Sequence, residues 1–197
     1  MIILLNGTSS SGKSSLAKAL QNLLNEPHLW CGIDDFIFML PKAYLNPPLW
    51  GQVFEYRWSE APTPELLEIH PGPLGHRLIS GMHQSIAALT RNGFSVIADH
   101  VLLAPEWLQD CLHTFANFDV LFVGVRCPLE VLEQRERTRR DRTLGQARAQ
   151  IQAVHAHGPY DIEVDTSVLS PVECAQQIVD YLRNCPPPQA FRRLRSA

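Results

Sequence analysis

Near its amino terminus the chain reads Gly7-Thr8-Ser9-Ser10-Ser11-Gly12-Lys13-Ser14, which fits the phosphate-binding pattern G-x-x-x-x-G-K-[ST]. An apolar run over residues 1–5 precedes it and a helical pattern over residues 15–24 follows it, as this motif requires. The glycines let backbone N–H groups turn around a polyphosphate at the positive end of the helix dipole. We predict that this loop, together with Ser15, binds nucleotide phosphates, with Lys13 on the β- and γ-phosphates and the Ser14 hydroxyl on Mg²⁺. The alternative is a Ser- and Gly-rich turn that matches by chance.

The composition is that of an ordinary globular protein, since 45% of the 197 residues are hydrophobic and 19% are charged. A net charge of −3 argues against a general binder of nucleic acids or membrane surfaces. No apolar run approaches the roughly 20 residues that span a bilayer. We expect one domain over residues 1–185 and a flexible tail over residues 186–197, after three consecutive prolines.

The five cysteines are scattered without C-x-x-C spacing. Such an odd, irregular set favours reduced thiols in the cytoplasm over a disulfide framework or a zinc site. The histidines show no H-E-x-x-H spacing either. We expect a cytoplasmic protein whose partner is a small molecule; the sequence does not indicate its oligomeric state.

Five apolar runs alternate with helical patterns, over residues 2–5, 29–33, 94–98, 120–125 and 160–164. This alternation predicts an α/β fold with a parallel sheet and helices on both faces. Functional groups of such sheets gather at the carboxyl ends of the strands. Those ends carry the phosphate loop, Asp34-Asp35, Asp99-His100, Arg126 and Asp165-Thr166.

The acidic pair Asp34-Asp35 follows the second apolar run. Phosphoryl transfer to an alcohol needs a carboxylate that accepts the hydroxyl proton and aims the oxygen, and we predict this role for Asp34. Asp35 fits either acceptor binding or the cap of the short helix that follows, and the two could exchange roles.

Asp99 occupies a Walker-B-like position after the third run. Its carboxylate could hold Mg²⁺ together with Ser14, or bind the acceptor hydroxyl. The structural alternative is a strand-end carboxylate that bonds to the backbone.

The segment over residues 41–73 contains seven prolines and several aromatic residues. We interpret the segment over about residues 41–76 as an irregular insertion that covers the acceptor, with Trp50, Phe54 and Tyr56 as apolar contacts. An aromatic-rich flap packed on its own domain is an equally good interpretation.

An arginine cluster at positions 135, 137, 139, 140 and 142 predicts a lid over about residues 135–148. Guanidinium groups stabilise the charge that spreads over a transferring phosphoryl group. We expect this role for Arg139 and Arg142, with Arg135 next. The alternative is a solvated helix face whose arginines pair with Glu133, Glu136 and Asp141.

The Asp165-Thr166 turn is a candidate for lining the adenine ring of ATP. No N-K-x-D or D-x-x-G motif is present, so the sequence favours ATP over GTP.

Several stretches resemble chloramphenicol 3-O-phosphotransferase: the phosphate loop, Gly32-Ile33-Asp34, the segment 123–127, Arg139 with Asp141-Arg142, and the segment 160–166. The resemblance implies a P-loop kinase fold close to shikimate and adenylate kinases, with a five-stranded parallel sheet. It also implies transfer of the γ-phosphoryl group of ATP to a primary hydroxyl of chloramphenicol, with Asp34 as the catalytic aspartate. The insertion and the residues after Asp34 and Asp99 depart from the family pattern.

The leading hypothesis is therefore an ATP- and Mg²⁺-dependent phosphotransferase for a small-molecule alcohol. The alternatives are a kinase for a sugar, a nucleoside or a shikimate-like acid, and a nucleotide-binding switch without transfer activity. Lys42 and Arg57 are the only lysine or arginine residues of the 41–73 segment, which favours a neutral, largely apolar acceptor.

Overall fold

The computed structural model describes residues 1–58, 67–138 and 144–196. Its centre is a five-stranded sheet in which all neighbouring strands are parallel. The sheet strands are β1 (Ile2–Asn6), β2 (His28–Gly32), β5 (Ser95–His100), β6 (Val120–Arg126) and β7 (Ile162–Asp165), in the spatial order β2-β5-β1-β6-β7. A separate antiparallel pair consists of β3 (Phe54–Trp58) and β4 (Leu67–Pro71). This architecture confirms the predicted α/β fold.

Helices cover both faces of the sheet. They are α1 (Lys13–Leu23), α2 (Ile33–Phe38), α3 (Pro73–Arg91), α4 (Pro105–Thr114), α5 (Leu129–Thr138), α6 (Gln146–His155), α7 (Pro171–Asn184) and α8 (Ala190–Ser196). Helix α7 begins with a capping box, as the sequence Ser170-Pro171-Val172-Glu173 predicts. The Ser170 hydroxyl accepts from the Glu173 N–H and the Glu173 carboxylate accepts from the Ser170 N–H. Among the described helices, none is long and apolar enough to cross a bilayer.

The central strand β1 divides the hydrophobic core into two layers. Ile2 and Leu4 pack in the layer that contains α3 and α4, whereas Ile3 and Leu5 pack in the layer that contains α1 and α7. Because successive side chains of a strand point to opposite faces, a strand buried on both faces must be apolar at every position. The uninterrupted apolar run before the phosphate loop reflects this position.

Two strand ends lie elsewhere than the sequence predicts, and both changes move a candidate site residue. Strand β5 continues to His100, so Asp99 lies inside the strand, paired with Leu5 on β1 and Gly32 on β2. Strand β2 ends at Gly32, so Asp34 lies in the first turn of α2 and not at a strand end. The backbone N–H of Gly32 donates to the Asp35 carboxylate over 2.7 Å, and this cap starts the helix early.

The proline- and aromatic-rich segment is more regular than predicted. Pairing of β3 with β4 places Tyr56 opposite Ile69 and Trp58 opposite Leu67, so apolar side chains meet across the two strands. The alternation of Phe54, Tyr56 and Trp58 with polar residues is the period-two pattern of a strand. The prolines obscured that pattern, and the prediction of an irregular insertion was wrong for these residues.

The prediction of a flexible tail was also wrong. Helix α8 follows the three prolines, and the backbone N–H groups of Gln189 and Ala190 donate to the Asp161 carboxylate over 2.6 and 2.8 Å. Phe191 is 4% exposed and packs edge-on against Phe122 of β6, with ring centroids 5.3 Å apart. The prolines therefore turn the chain back onto the sheet instead of ending the ordered structure.

We expect Phe191→Ala to lower the free energy of unfolding by about 3–5 kcal/mol, the usual cost of removing a buried phenylalanine ring. Urea unfolding followed by circular dichroism measures this change. Phe94→Ala is the matched control, because Phe94 is 46% exposed and its loss should cost less than about 1 kcal/mol. Equal effects of the two substitutions would show that α8 does not contribute to the core.

Candidate active site

The phosphate loop, defined here as residues 7–15, joins β1 to α1 and has the backbone geometry of an anion cradle. Gly12 has a φ of 90° and Ser10 a φ of 62°, so the chain turns through left-handed conformations between strand and helix. Gly7 lies so close to β6 that a Cβ atom there would be 2.7 Å from the Val125 carbonyl oxygen. Only glycine fits at that position, which places the loop directly over the carboxyl end of the sheet.

Several polar groups of the phosphate loop are buried. The Lys13 ammonium is 6% exposed and donates to the Thr8 carbonyl oxygen over 2.7 Å. The hydroxyl oxygens of Ser9, Ser10 and Ser11 are buried and have no hydrogen-bond partner within the described residues. Buried hydroxyls without partners cost free energy, which phosphate oxygens would recover as hydrogen-bond acceptors. These residues therefore fit the phosphate chain of a nucleotide.

Asp99 connects the loop to β5. The Ser14 hydroxyl donates to one carboxylate oxygen over 2.9 Å, and the Lys13 nitrogen lies 3.7 Å from the other. Burial raises the pKa of Asp99 above its usual value and the Asp34 carboxylate acts in the same direction, whereas Lys13 and the Ser14 hydroxyl oppose this shift. A carboxylate beside a hydroxyl is the hard oxygen donor set that suits Mg²⁺, so Ser14 and Asp99 fit the ion that the phosphate-loop motif implies.

The two residues of the acidic pair have different surroundings. Asp34 is half-buried and lines the same cavity as Lys13, Ser14 and Asp99. Asp35 also borders that cavity, but one of its oxygens accepts the Gly32 N–H in the helix cap. The structure thus shows the capping contact that the sequence suggested for Asp35, while its contact with an acceptor stays a prediction.

The cavity has a volume of about 650 Å³ and extends from the phosphate loop to the antiparallel pair. Its far side is the aromatic wall, which consists of Trp50, Phe54 and Tyr56. The ring of Trp50 lies 5.5 Å from that of Phe54 and 6.1 Å from that of Tyr56. Phe54 also packs edge-on against Trp107 in the core at 6.3 Å. The segment therefore lines the cavity and packs on its own domain at the same time.

Of the three predicted arginines, the structure describes Arg135, while Arg139 and Arg142 lie outside the described residues. The Arg135 guanidinium donates to the Thr166 carbonyl and hydroxyl oxygens over 2.7 and 3.1 Å, and to the Ser10 carbonyl over 3.3 Å. Arg135 therefore joins α5 to the phosphate loop and to the turn after β7. Its bonds are to protein oxygens, as expected of a residue that positions the loop.

The glutamates near the arginine cluster have partners other than those proposed in the solvated-face alternative. Glu136 is buried and accepts the backbone N–H groups of Gly145 and Ala147 over 3.1 and 2.6 Å, which caps the start of α6. Glu133 pairs with Arg148 of α6 over 2.5 Å. Helices α5 and α6 are thus joined by side chains of both glutamates.

The predicted adenine-lining pair lies beside the phosphate loop and bonds within the protein. The Thr166 hydroxyl donates to the Ser11 carbonyl oxygen over 2.7 Å. The Asp165 carboxylate accepts the N–H and the hydroxyl of Ser167 over 2.8 and 2.6 Å. Thr166 therefore supports the loop, and the adenine contact of this pair stays a prediction.

Gln150 of α6 is a site residue that the sequence reasoning missed. Its side-chain oxygen accepts the Ser9 N–H of the phosphate loop over 2.6 Å, and the residue is 3% exposed. It shares the buried face of α6 with Ala147 and Val154. A polar residue on an otherwise apolar helical stripe was a usable signal, because a buried amide needs partners.

Asn6, the last residue of β1, was missed in the same way. Its amide nitrogen donates to the Val154 carbonyl and to the Tyr160 hydroxyl over 2.8 and 2.9 Å. Its amide oxygen accepts the Leu102 N–H over 3.0 Å. One fully buried side chain thus holds together the chain segments that follow β5 and α6 at the base of the site.

The comparisons with known proteins agree with this geometry. A family model described as chloramphenicol phosphotransferase-like protein matches residues 1–183. Putative O-phosphotransferase Rv2636 of Mycobacterium tuberculosis is 40% identical over an alignment of 197 positions, which covers 98% of this chain and 87% of that protein.

Solved structures of low sequence identity show the same fold. The APS kinase CysC of Mycobacterium tuberculosis, solved with AMPPNP and APS, has a TM-score of 0.64 at 16% identity, with 93% of this chain and 97% of that chain covered. The shikimate kinase of Aquifex aeolicus has a TM-score of 0.57 at 17% identity, with coverages of 93% and 96%. The fold is therefore that of the P-loop kinases, as predicted.

We expect Arg135→Ala to weaken nucleotide binding, because the phosphate loop loses its hydrogen bonds to a charged donor. Each such bond contributes about 1.5–3 kcal/mol, so Kd should rise roughly ten- to a hundredfold. Calorimetric titration with a non-hydrolysable ATP analogue measures it. Arg137→Ala, an exposed arginine on the same helix, is the control. An unchanged Kd for Arg135→Ala would exclude a positioning role.

Proposed function

This chain belongs to the chloramphenicol phosphotransferase-like family, and we propose on that basis that it transfers the γ-phosphoryl group of ATP to a hydroxyl of a small molecule. The observation that supports this proposal best is the single cavity shared by Lys13, Asp34, Asp99 and the aromatic wall. A phosphate-binding end, a carboxylate and an apolar end in one space are the parts that such a transfer needs. Cytoplasmic location, where ATP is available and the five free cysteines stay reduced, is part of the proposal.

The proposed mechanism assigns a separate task to each side chain. Asp34 accepts the proton of the acceptor hydroxyl. A lone pair of the acceptor oxygen then forms the new bond to the γ-phosphorus as the bond from that phosphorus to the β-phosphate oxygen breaks. Lys13 and the loop N–H groups stabilise the negative charge on the phosphate oxygens. Mg²⁺, when held by Ser14 and Asp99, would supply further neutralisation of that charge.

The surroundings of the cavity favour a neutral, largely apolar alcohol as acceptor. The aromatic wall offers ring faces and edges, and Arg57 of β3 pairs with Glu55 over 2.6 Å on the exposed side of that strand. A shikimate-like acid would need cationic groups that face the cavity, and Lys13 is the only Lys or Arg among its described lining residues. Chloramphenicol, which the family name carries, fits this class of acceptor.

We expect Asp34→Asn to lower kcat at least about a hundredfold, because the amide cannot accept the hydroxyl proton. Binding of ATP should stay near normal, since the phosphate loop is unchanged. Coupled ADP-release assays and calorimetry measure the two quantities. Asp119→Asn, an exposed carboxylate at the start of β6, is the control. Near-normal turnover of Asp34→Asn would remove this residue from the mechanism, and a large loss in Asp35→Asn would transfer its role to the neighbour.

A transfer screen with ATP, Mg²⁺ and a panel of alcohols tests the acceptor class. The panel contains chloramphenicol, a sugar, a nucleoside and shikimate. We expect phosphorylation of the neutral apolar alcohols. In Trp50→Ala the KM for the acceptor should rise about tenfold or more, because an aromatic face is lost from one end of the cavity. The KM for ATP should stay constant. Tight ATP binding without transfer to any acceptor would favour the nucleotide-binding switch.

A further inference from the structure

Three side chains that can ligate a metal meet in the core behind the phosphate loop. His83 of α3, His100 of β5 and Cys111 of α4 are all completely buried. The Nε2 atoms of the two histidines are 2.9 Å apart, and the Cys111 sulfur lies 3.2 Å from the Nε2 atom of His83. One ligand atom from each residue lies within 4.8 Å of the other two. Two nitrogens and a sulfur thus lie within reach of a single ion.

Without an ion, these groups cannot all be satisfied. The Nδ1 atom of His83 lies 2.5 Å from the Asp110 carboxylate, so it carries a proton, and a neutral ring then leaves one lone pair on Nε2 for two possible donors. If His83 is doubly protonated, a single Nε2–H faces two acceptors instead. Either arrangement leaves a buried polar group without a hydrogen bond, which costs about 1–3 kcal/mol of stability.

We propose that His83, His100 and Cys111 hold a Zn²⁺ ion in the core. Zinc takes imidazole nitrogen and thiolate sulfur in tetrahedral sites, at distances that imply about 3.3 Å between two nitrogens and about 3.6 Å between nitrogen and sulfur. The N–N and N–S separations found here would need to open by about 0.4 Å each, which small side-chain rotations can provide. Three protein ligands leave one tetrahedral position for a water molecule.

The surroundings complete the site chemically. Asp110 accepts from His83 Nδ1, which is the outer carboxylate that orients a zinc-bound histidine. One thiolate and one carboxylate balance the two positive charges of the ion, and a neutral assembly is the form that a buried site tolerates. A bound Zn²⁺ ion would hold the Cys111 sulfur as the thiolate, because a coordinating thiol loses its proton.

The site would stiffen the part of the sheet that carries the candidate active site. His100 follows Asp99 directly, and its carbonyl oxygen faces the Gly7 N–H of the phosphate loop at 3.4 Å. An ion bound here joins α3, α4 and the carboxyl end of β5. The ligands are too far apart in sequence to show metal-ligand spacing, which explains why their pattern gave no indication of a zinc site. Because all three ligands are buried, the ion would bind during folding.

Metal analysis of the full chain tests this proposal. Protein expressed with added zinc and washed with a chelator should contain about one zinc ion per chain by plasma mass spectrometry. Chain refolded with Co²⁺ alone should show a thiolate-to-cobalt charge-transfer band, which the oxygen ligands Ser14 and Asp99 cannot produce. Cys111→Ser should lose the band, whereas Cys174→Ser, a buried cysteine outside the cluster, should keep it.

A second variant keeps the test decisive if Cys111→Ser does not fold. Asp110→Asn retains all three ligands and should weaken zinc binding roughly ten- to a hundredfold, as measured by competition with a chromophoric chelator. Absence of both zinc and the cobalt band in the unaltered protein would overturn the proposal. A band that Cys111→Ser retains, or zinc affinity that Asp110→Asn leaves unchanged, would also overturn it.

Discussion

The structure depends on the hydrogen bonds that the rest of the chain makes to the backbone of the phosphate loop. A loop that is neither helix nor strand pairs few of its own backbone groups, so most of its buried N–H and carbonyl groups need partners from elsewhere. Thr166 and Arg135 bind the carbonyl oxygens of Ser11 and Ser10, and Gln150 binds the N–H of Ser9. The partners come from the turn after β7, from α5 and from α6, so the shape of the loop is a property of the whole fold.

Negative charge exceeds positive charge among Asp34, Asp99 and Lys13 at the loop end of the cavity. The Asp34 carboxylate disfavours ionisation of Asp99, and the Lys13 ammonium lies 3.7 Å from the Asp99 carboxylate. An incoming triphosphate adds further negative charge at the same place. In the proposed function a divalent cation is therefore as much a structural requirement as a chemical one, because it makes the buried carboxylate favourable.

The sequence predicted the features whose causes are local. The phosphate loop, the buried central strand and the Ser170-Glu173 capping box each follow from neighbouring residues, and each is present. The features it missed depend on contacts between distant segments. Gln150 matters because α6 packs against the phosphate loop, and α8 is ordered because Phe191 reaches Phe122. The sequence placed Asp34 at a strand end, whereas in the structure the strand ends earlier. The local Gly32–Asp35 cap starts a helix there and competes with continuation of the strand.

The double use of Phe54 limits how acceptor preference can change in evolution. This ring borders the cavity and also packs on Trp107 in the core, so any substitution that reshapes the acceptor space there also weakens folding. Trp50 is only partly buried, and it lines the cavity at a smaller cost in core packing. Natural divergence in substrate range within this fold should therefore concentrate at cavity residues that, like Trp50, are only partly buried. A mutation there changes recognition with little loss in the marginal stability of the domain.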